Sequence, residues 1–113
     1  MEMKAASEAL SALAQETRLA VFRLLIRQGP NGLKAGDIAR ALDVAPATLS
    51  FHLGQLERAG LIASRRLGRQ IFYAADIEGT RRLIGFLTED CCQGRPELCG
   101  GLLEAALPGE GPA

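Results

Sequence analysis

The stretch Gly36-Asp37-Ile38-Ala39-Arg40-Ala41-Leu42-Asp43-Val44-Ala45-Pro46-Ala47-Thr48-Leu49-Ser50-Phe51-His52-Leu53-Gly54-Gln55-Leu56-Glu57-Arg58-Ala59-Gly60-Leu61-Ile62 decides the fold. It holds two apolar patterns of helical period with almost nothing between them. From Ala35 to Leu42, Ile38, Ala39 and Leu42 face one side. From Pro46 to about Ala59, Leu49, Leu53 and Leu56 recur at i, i+4 and i+7. The link Asp43-Val44-Ala45 leaves room only for a tight turn, and Pro46 suits the first turn of a helix, where its missing N–H costs nothing. Gly60 stands where a left-handed residue ends a helix, with Leu61 as its hydrophobic partner. Two helices joined so closely predict a helix-turn-helix.

Working outward, Ile62 to Arg66 and Arg69 to Ala74 flank Leu67-Gly68, and the second arm carries Ile71, Phe72 and Tyr73. This predicts a β-hairpin with arginines at its tip. A hairpin directly after a helix-turn-helix is a winged helix. Upstream, Glu8 to Leu13 carries Leu10 and Leu13 at helical spacing. Gln15 to Gln28 predicts a stronger helix, with Leu19, Phe22, Leu25 and Ile26 as its apolar stripe and Arg18, Arg23 and Arg27 largely elsewhere. Gly29-Pro30-Asn31-Gly32 stops it. Downstream, Asp76 caps a last helix predicted to reach about Cys92, with Ile77, Leu83, Ile84, Leu87 and Cys91 roughly along one side and Gly94 and Pro96 ending it. The fold class is mainly α with a small β-hairpin. Residues 1–92 form the winged helix-turn-helix domain, and residues 93–113 a cysteine-bearing loop and tail.

Net charge over the 113 residues is zero, but it is unevenly spread. Residues 1–75 hold ten basic and six acidic side chains, whereas residues 76–113 hold three basic and seven acidic. From Arg58 to Ala75 there are four arginines and no acid, beside the predicted wing, which points to nucleic-acid phosphates. No run of about 18 apolar residues crosses a membrane. Met1-Glu2-Met3-Lys4 begins no signal peptide, so a cytoplasmic protein is expected.

The second helix of a helix-turn-helix enters the major groove of double-stranded DNA with its N-terminal side chains toward the bases. Here those are Ala47, Thr48, Ser50, Phe51, His52 and Gln55. Gln55 suits a two-bond contact with adenine, while Thr48 and Ser50 serve bases, phosphates or the helix cap. His52, the single histidine, is either a DNA-side or a packing residue. Arg65, Arg66 and Arg69 would neutralise phosphates without reading sequence. One such domain reads only a few base pairs, so a homodimer on a palindromic operator is expected, with Leu10, Leu13, Ile84 and Leu87 contributing to its interface.

Cys91, Cys92 and Cys99 are the only cysteines and lie within nine residues. In a reducing compartment, clustered thiols point to metal binding or redox chemistry. A Cys91–Cys92 bridge would be strained, because adjacent Cα atoms sit about 3.8 Å apart against the roughly 4.4–6.8 Å of disulfides. A bridge from either to Cys99 is open. Three thiolates without an imidazole leave a tetrahedral zinc site one ligand short.

The quoted stretch, followed by Arg65-Arg66-Leu67-Gly68-Arg69-Gln70-Ile71-Phe72-Tyr73, resembles the ArsR/SmtB family of winged-helix metalloregulatory repressors, over roughly residues 5–92. Leu49-Ser50-Phe51-His52-Leu53, with Leu56, Gly60 and the Gly-Arg wing, is the most specific part. The ending Glu89-Asp90-Cys91-Cys92 is similar to the arsenite-responsive branch. The family's arsenic site on the first helix of the helix-turn-helix is absent: Lys34, Gly36 and Ala39 hold the matching positions. Its zinc site on the last helix is incomplete, with Asp76 and Glu78 but no histidine, so no zinc is expected. The resemblance implies trivalent arsenic or antimony as inducer, and either ion takes three sulfurs, keeping a lone pair in place of a fourth ligand.

The expected function is therefore a DNA-binding repressor released by trivalent arsenic on Cys91, Cys92 and Cys99. A thiol-redox repressor of the same fold is the nearest alternative. A thiol enzyme or metal carrier is disfavoured, since the chain has no Cys-x-x-Cys, His-Glu-x-x-His or Gly-x-Ser-x-Gly motif.

Overall fold

The computed structural model describes residues 1–89. Five helices and three strands follow in the order α1 (Met3–Leu13), α2 (Glu16–Gln28), β1 (Leu33–Lys34), α3 (Ala35–Leu42), α4 (Pro46–Arg58), β2 (Ile62–Leu67), β3 (Gln70–Ala75) and α5 (Ile77–Leu87). The strands form an antiparallel sheet in the order β1-β3-β2. Val21, Leu25, Ile38, Leu49, Leu53, Leu56, Leu61, Ile62 and Leu83 make one buried core, completed by Ala6, Ala9 and Ala12.

α1 starts at Met3, five residues before the predicted Glu8. Its buried side is made of alanines, which form helix readily and let a neighbour approach, while Leu10 is exposed and Leu13 only half-buried. A pattern built on large apolar residues misses such a face. α2 is rotated from expectation for a related reason. Val21 and Leu25 are buried and Phe22 packs beside them, whereas Leu19 and Ile26 are 42% and 41% exposed. The inward stripe runs 18, 21, 22, 25, and its first place is taken by an arginine.

The helix-turn-helix stands as predicted. α3 ends on Asp43 in the left-handed region (φ 54°), where a short polar side chain is better tolerated than most, and Val44 N–H donates to Ala39 O at 3.0 Å. Pro46 opens α4. At the other end Gly60 adopts φ +78°, Gly60 N–H donates to Glu57 O and Leu61 N–H to Leu56 O. This is a Schellman ending with Leu61 buried as its hydrophobic contact.

The hairpin is displaced by one residue from expectation. Leu67 pairs with Gln70, so the two-residue loop is Gly68-Arg69, not Leu67-Gly68, and a glycine leads it at φ +63°. β1 escaped prediction because two residues carry no periodicity. It exists through pairing, Leu33 opposite Tyr73 and Lys34 opposite Phe72.

Asp76 caps α5 as expected, its Oδ1 accepting from Gly79 N–H at 2.9 Å. The helix stops at Leu87, short of the predicted Cys92, and the Thr88 hydroxyl donates back to Ile84 O at 2.8 Å. Such a bond competes with the next backbone turn. Of the residues expected along one side of this helix, Leu83 is buried and Ile77 and Leu87 are exposed, while Phe86 packs against the core. Cys91 and the predicted boundary at residue 92 lie outside the described residues.

α5 is held against the end of α4 at one point. Asp76 N–H donates to Leu61 O at 2.9 Å, and Gly79 is buried so close to Gly60 that a Cβ there would lie 1.9 Å from Gly60 O. Gly79→Ala should therefore destabilise the fold by about 1–3 kcal/mol through overpacking. Gly85, on the same helix with open space at its Cβ position, should give up to about 1 kcal/mol of added stability as Gly85→Ala. Urea unfolding of the two variants compares them directly, and equal midpoints would contradict the close approach.

Candidate nucleic-acid interface

α4 presents two contrasting faces. Leu49, His52, Leu53 and Leu56 are buried. Half a turn away, Ala47, Phe51, Gly54 and Arg58 follow one another at i, i+4, i+7 and i+11 and define an outward stripe, with Ser50 beside it. Ala47, Thr48, Ser50 and Phe51 are all exposed, where the sequence placed its base-facing residues.

His52 is the exception. It is 8% exposed, and its Nδ1 lies 3.2 Å from Arg18 Nη1. Arginine can only donate, so Nδ1 accepts and the ring proton sits on Nε2. Arg18 Nε in turn donates to Ala12 O at 2.7 Å, and the Arg18 backbone N–H is capped by Gln15 Oε1 at 2.8 Å. One guanidinium thus joins α1, α2 and α4. The packing reading of His52 holds in place of the DNA-side one, because position 52 falls on the same stripe as Leu49, Leu53 and Leu56. That spacing was visible in the sequence. Arg18 was missed because an arginine is not looked for on an apolar stripe.

Gln55 stands on the flank of the stripe. It is half-buried, accepts from Arg58 Nη2 at 3.2 Å, and opens on a groove of about 360 Å³ between α1 and α4 that Glu8, Ser11 and Arg18 also line. Its flank position turns it from the outward stripe, where Arg58 stands instead.

The wing divides its arginines by the alternation of a strand. Arg65 lies opposite Phe72, and Lys34 lies opposite Phe72 on the other side, so these three share the outer face of the sheet. Arg65 donates to Asn31 O at 3.2 Å, and its guanidinium carbon is 6.0 Å from the Phe72 ring centroid. It ties the wing to the loop before β1. Arg66 points to the opposite face, and Arg69 sits in the turn. Among the described residues neither donates a side-chain hydrogen bond or enters an ion pair. Ser64 Oγ donates to Glu57 Oε2 at 2.8 Å, joining the wing to the last turn of α4.

Leu10 and Leu87, expected at a dimer interface, are exposed, and Leu13 and Ile84 are half-buried. Cys91, Cys92 and Cys99 lie outside the described residues. Among the described residues no three His, Cys, Asp or Glu side chains gather as a metal site, and no helix is long and apolar enough to cross a membrane.

An outward helix stripe beside a basic wing, on this topology, defines a winged helix-turn-helix DNA-binding domain. The comparisons agree. A family described as helix-turn-helix domain matches residues 13–65. The transcriptional activator HlyU of Vibrio cholerae is 31% identical over 74% of this chain and 75% of its own length. Its solved structure aligns at 30% identity and TM-score 0.62, covering 82% of this chain and all of that one. A form described as reduced HlyU aligns at 28% identity and TM-score 0.59, over 80% of this chain and 92% of that one. The biofilm growth-associated repressor of Agrobacterium fabrum is 35% identical over 81% of this chain and 78% of its own. The arsenic resistance transcriptional regulator ArsR1 of Pseudomonas putida is 34% identical over 54% and 46%. The chain belongs to the ArsR/SmtB family of winged-helix transcriptional regulators.

Burial lowers the pKa of His52 below its ordinary 6.5, and the nearby Arg18 charge acts in the same direction. The unfolded chain therefore binds more protons than the folded one just below that value, so stability is full above about pH 6.5 and falls as pH drops through the folded pKa. Denaturant midpoints at about pH 7.5 and about pH 5.5 should differ more for the wild type than for His52→Gln. An equal difference would show that His52 does not carry this dependence.

Proposed function

We propose that the protein is an operator-binding repressor, dimeric on palindromic DNA, released when trivalent arsenic is captured by Cys91, Cys92 and Cys99. The observation that carries the DNA-binding part is the outward stripe of α4 lying beside Arg66 and Arg69. α4 enters the major groove with Ala47, Thr48, Ser50 and Phe51 toward the bases. Arg66 and Arg69 neutralise phosphates, while Arg65, already held by Asn31 O and Phe72, sets the pose of the wing. The second subunit packs on the free apolar sides of α1 and α5, where Leu10 and Leu87 are exposed and Leu13 and Ile84 lie at the edge.

The sensing part rests on the donor set. Three thiolates without an imidazole suit a trigonal, sulfur-seeking ion such as trivalent arsenic, or antimony, better than zinc. The arsenic resistance regulator among the relatives supports the same ligand. The cysteines follow α5 directly, and the start of α5 is locked to the end of α4 through Gly79, Gly60 and Leu61. A ligand-induced change after α5 therefore has a rigid route to the reading helix. A coupling of about 1–3 kcal/mol weakens DNA binding by about 5–150-fold.

A second reading keeps the DNA reader and changes the signal to oxidation, joining Cys99 to Cys91 or Cys92. The relative solved in a reduced form favours it.

Fluorescence anisotropy of the reduced protein on labelled DNA from upstream of its own gene tests both readings. Arsenite should release the DNA, zinc should not, and Cys91→Ser, Cys92→Ser or Cys99→Ser should bind DNA yet ignore arsenite. Release by an oxidant alone would support the second reading. Under salt titration, Arg66→Ala and Arg69→Ala should each lower the slope of log affinity against log salt by about 0.9, the value of one phosphate contact. Arg65→Ala should change that slope less. Equal slopes for all four proteins would remove the wing from the phosphate contacts.

A further inference from the structure

Phe51 is the one side chain on the outward stripe of α4 that is both long and wholly apolar. It is 56% exposed, and the places around it on the helix surface belong to Ala47, Thr48, Gly54 and Gln55. Arg58, further along the stripe, folds back toward its own helix. Its guanidinium donates to Gln55, and a Cβ on Gly54 would lie 3.2 Å from its Nη1. The Phe51 ring meets the His52 ring edge-on, with centroids 5.7 Å apart. Since His52 is buried and held by Arg18, the ring stands on a fixed base. Ala47 and Gly54 let the helix backbone lie close to the base pairs, and Gln55 is engaged by Arg58, so Phe51 is the apolar side chain that reaches the bases.

A phenyl ring has no hydrogen-bond donor or acceptor, so it cannot read the pattern of polar groups along a base-pair edge. The feature of the major groove that an apolar side chain recognises is the C5-methyl group of thymine. We infer that Phe51 reads a thymine methyl in each operator half-site, and so selects a 5-methylpyrimidine at that position. Ser50, next on the helix, is left for polar contacts, and Phe51 contributes discrimination without adding to the salt-dependent phosphate contacts. The inference rests on α4 being the DNA-reading helix.

The test separates the two. Duplexes bound by the wild-type protein are selected from a random-sequence library, and each thymine of the selected site is replaced in turn by uracil, which removes only the methyl group. Wild-type protein, Phe51→Ala and Phe51→Leu are titrated on every duplex at low salt, where phosphate contacts keep a weakened variant bound. One thymine per half-site should show a loss of about fourfold on replacement, as expected for one methyl group returned to water, and about 15-fold when both half-sites are changed. Phe51→Leu should keep most of that discrimination and Phe51→Ala should lose it. Phe51 is exposed, so both variants should fold, and their circular dichroism and urea midpoints check this. A selected half-site without thymine would overturn the inference. So would sensitivity to uracil that persists in Phe51→Ala, or none in the wild type; in all three cases DNA reading by α4 would stand. Failure to select any duplex would overturn the reading and the inference together.

Discussion

Three parts of the molecule meet at the peptide of Leu61. Its N–H closes the Schellman ending of α4, and its carbonyl accepts the Asp76 N–H that opens α5. Ile62, immediately after it, starts the hairpin. The arrangement requires two glycines in van der Waals reach of each other, Gly60 for its left-handed backbone and Gly79 for its missing Cβ. Any side chain at Gly79 would push α5 away from the point where the reading helix and the wing diverge. The angle among these elements is thus set by backbone contact, which deforms little, in place of long side chains, which do.

The same economy governs the interior of the reading helix. The buried face of α4 includes a polar ring, and a buried ring nitrogen without a partner is costly. Arg18 removes that cost and is itself satisfied by Ala12 O. Burial, and after it the Arg18 charge, favours the neutral imidazole. The core therefore includes a short polar strut from α1 through α2 to α4, surrounded by leucine.

The pattern of large apolar residues, turn residues and caps was enough to find α3, α4, the ending at Gly60 and the Asp76 cap in the chain itself. These are local features, each specified by neighbours within a few positions. What escaped notice depends on partners far along the chain. β1 is made only by its pairing with β3, about forty residues away in sequence. The alanine face of α1 and the inward Arg18 violate the assumption that burial belongs to bulky apolar side chains. α5 ends at Leu87 although the apolar pattern runs on past it. At the site, exposure of Ala47, Thr48, Ser50 and Phe51 could be read from their spacing alone. The placing of Arg65 against Phe72 needed the strand register, because a loop one residue earlier would have set Arg65 opposite Gln70 instead.

The two faces of α4 share almost no energetic responsibilities. Leu49, His52, Leu53 and Leu56 hold the helix in the domain, and Ala47, Ser50, Phe51, Gly54 and Arg58 hold little of it. Substitutions on the outer stripe are therefore close to free in folding terms, while those on the inner one are not. A duplicated gene could drift to a new set of target promoters through four or five codons without passing through an unstable intermediate. The same separation makes the domain a ready frame for a designer, who could redraft the outer stripe and leave the scaffold, and whatever governs it, as they stand.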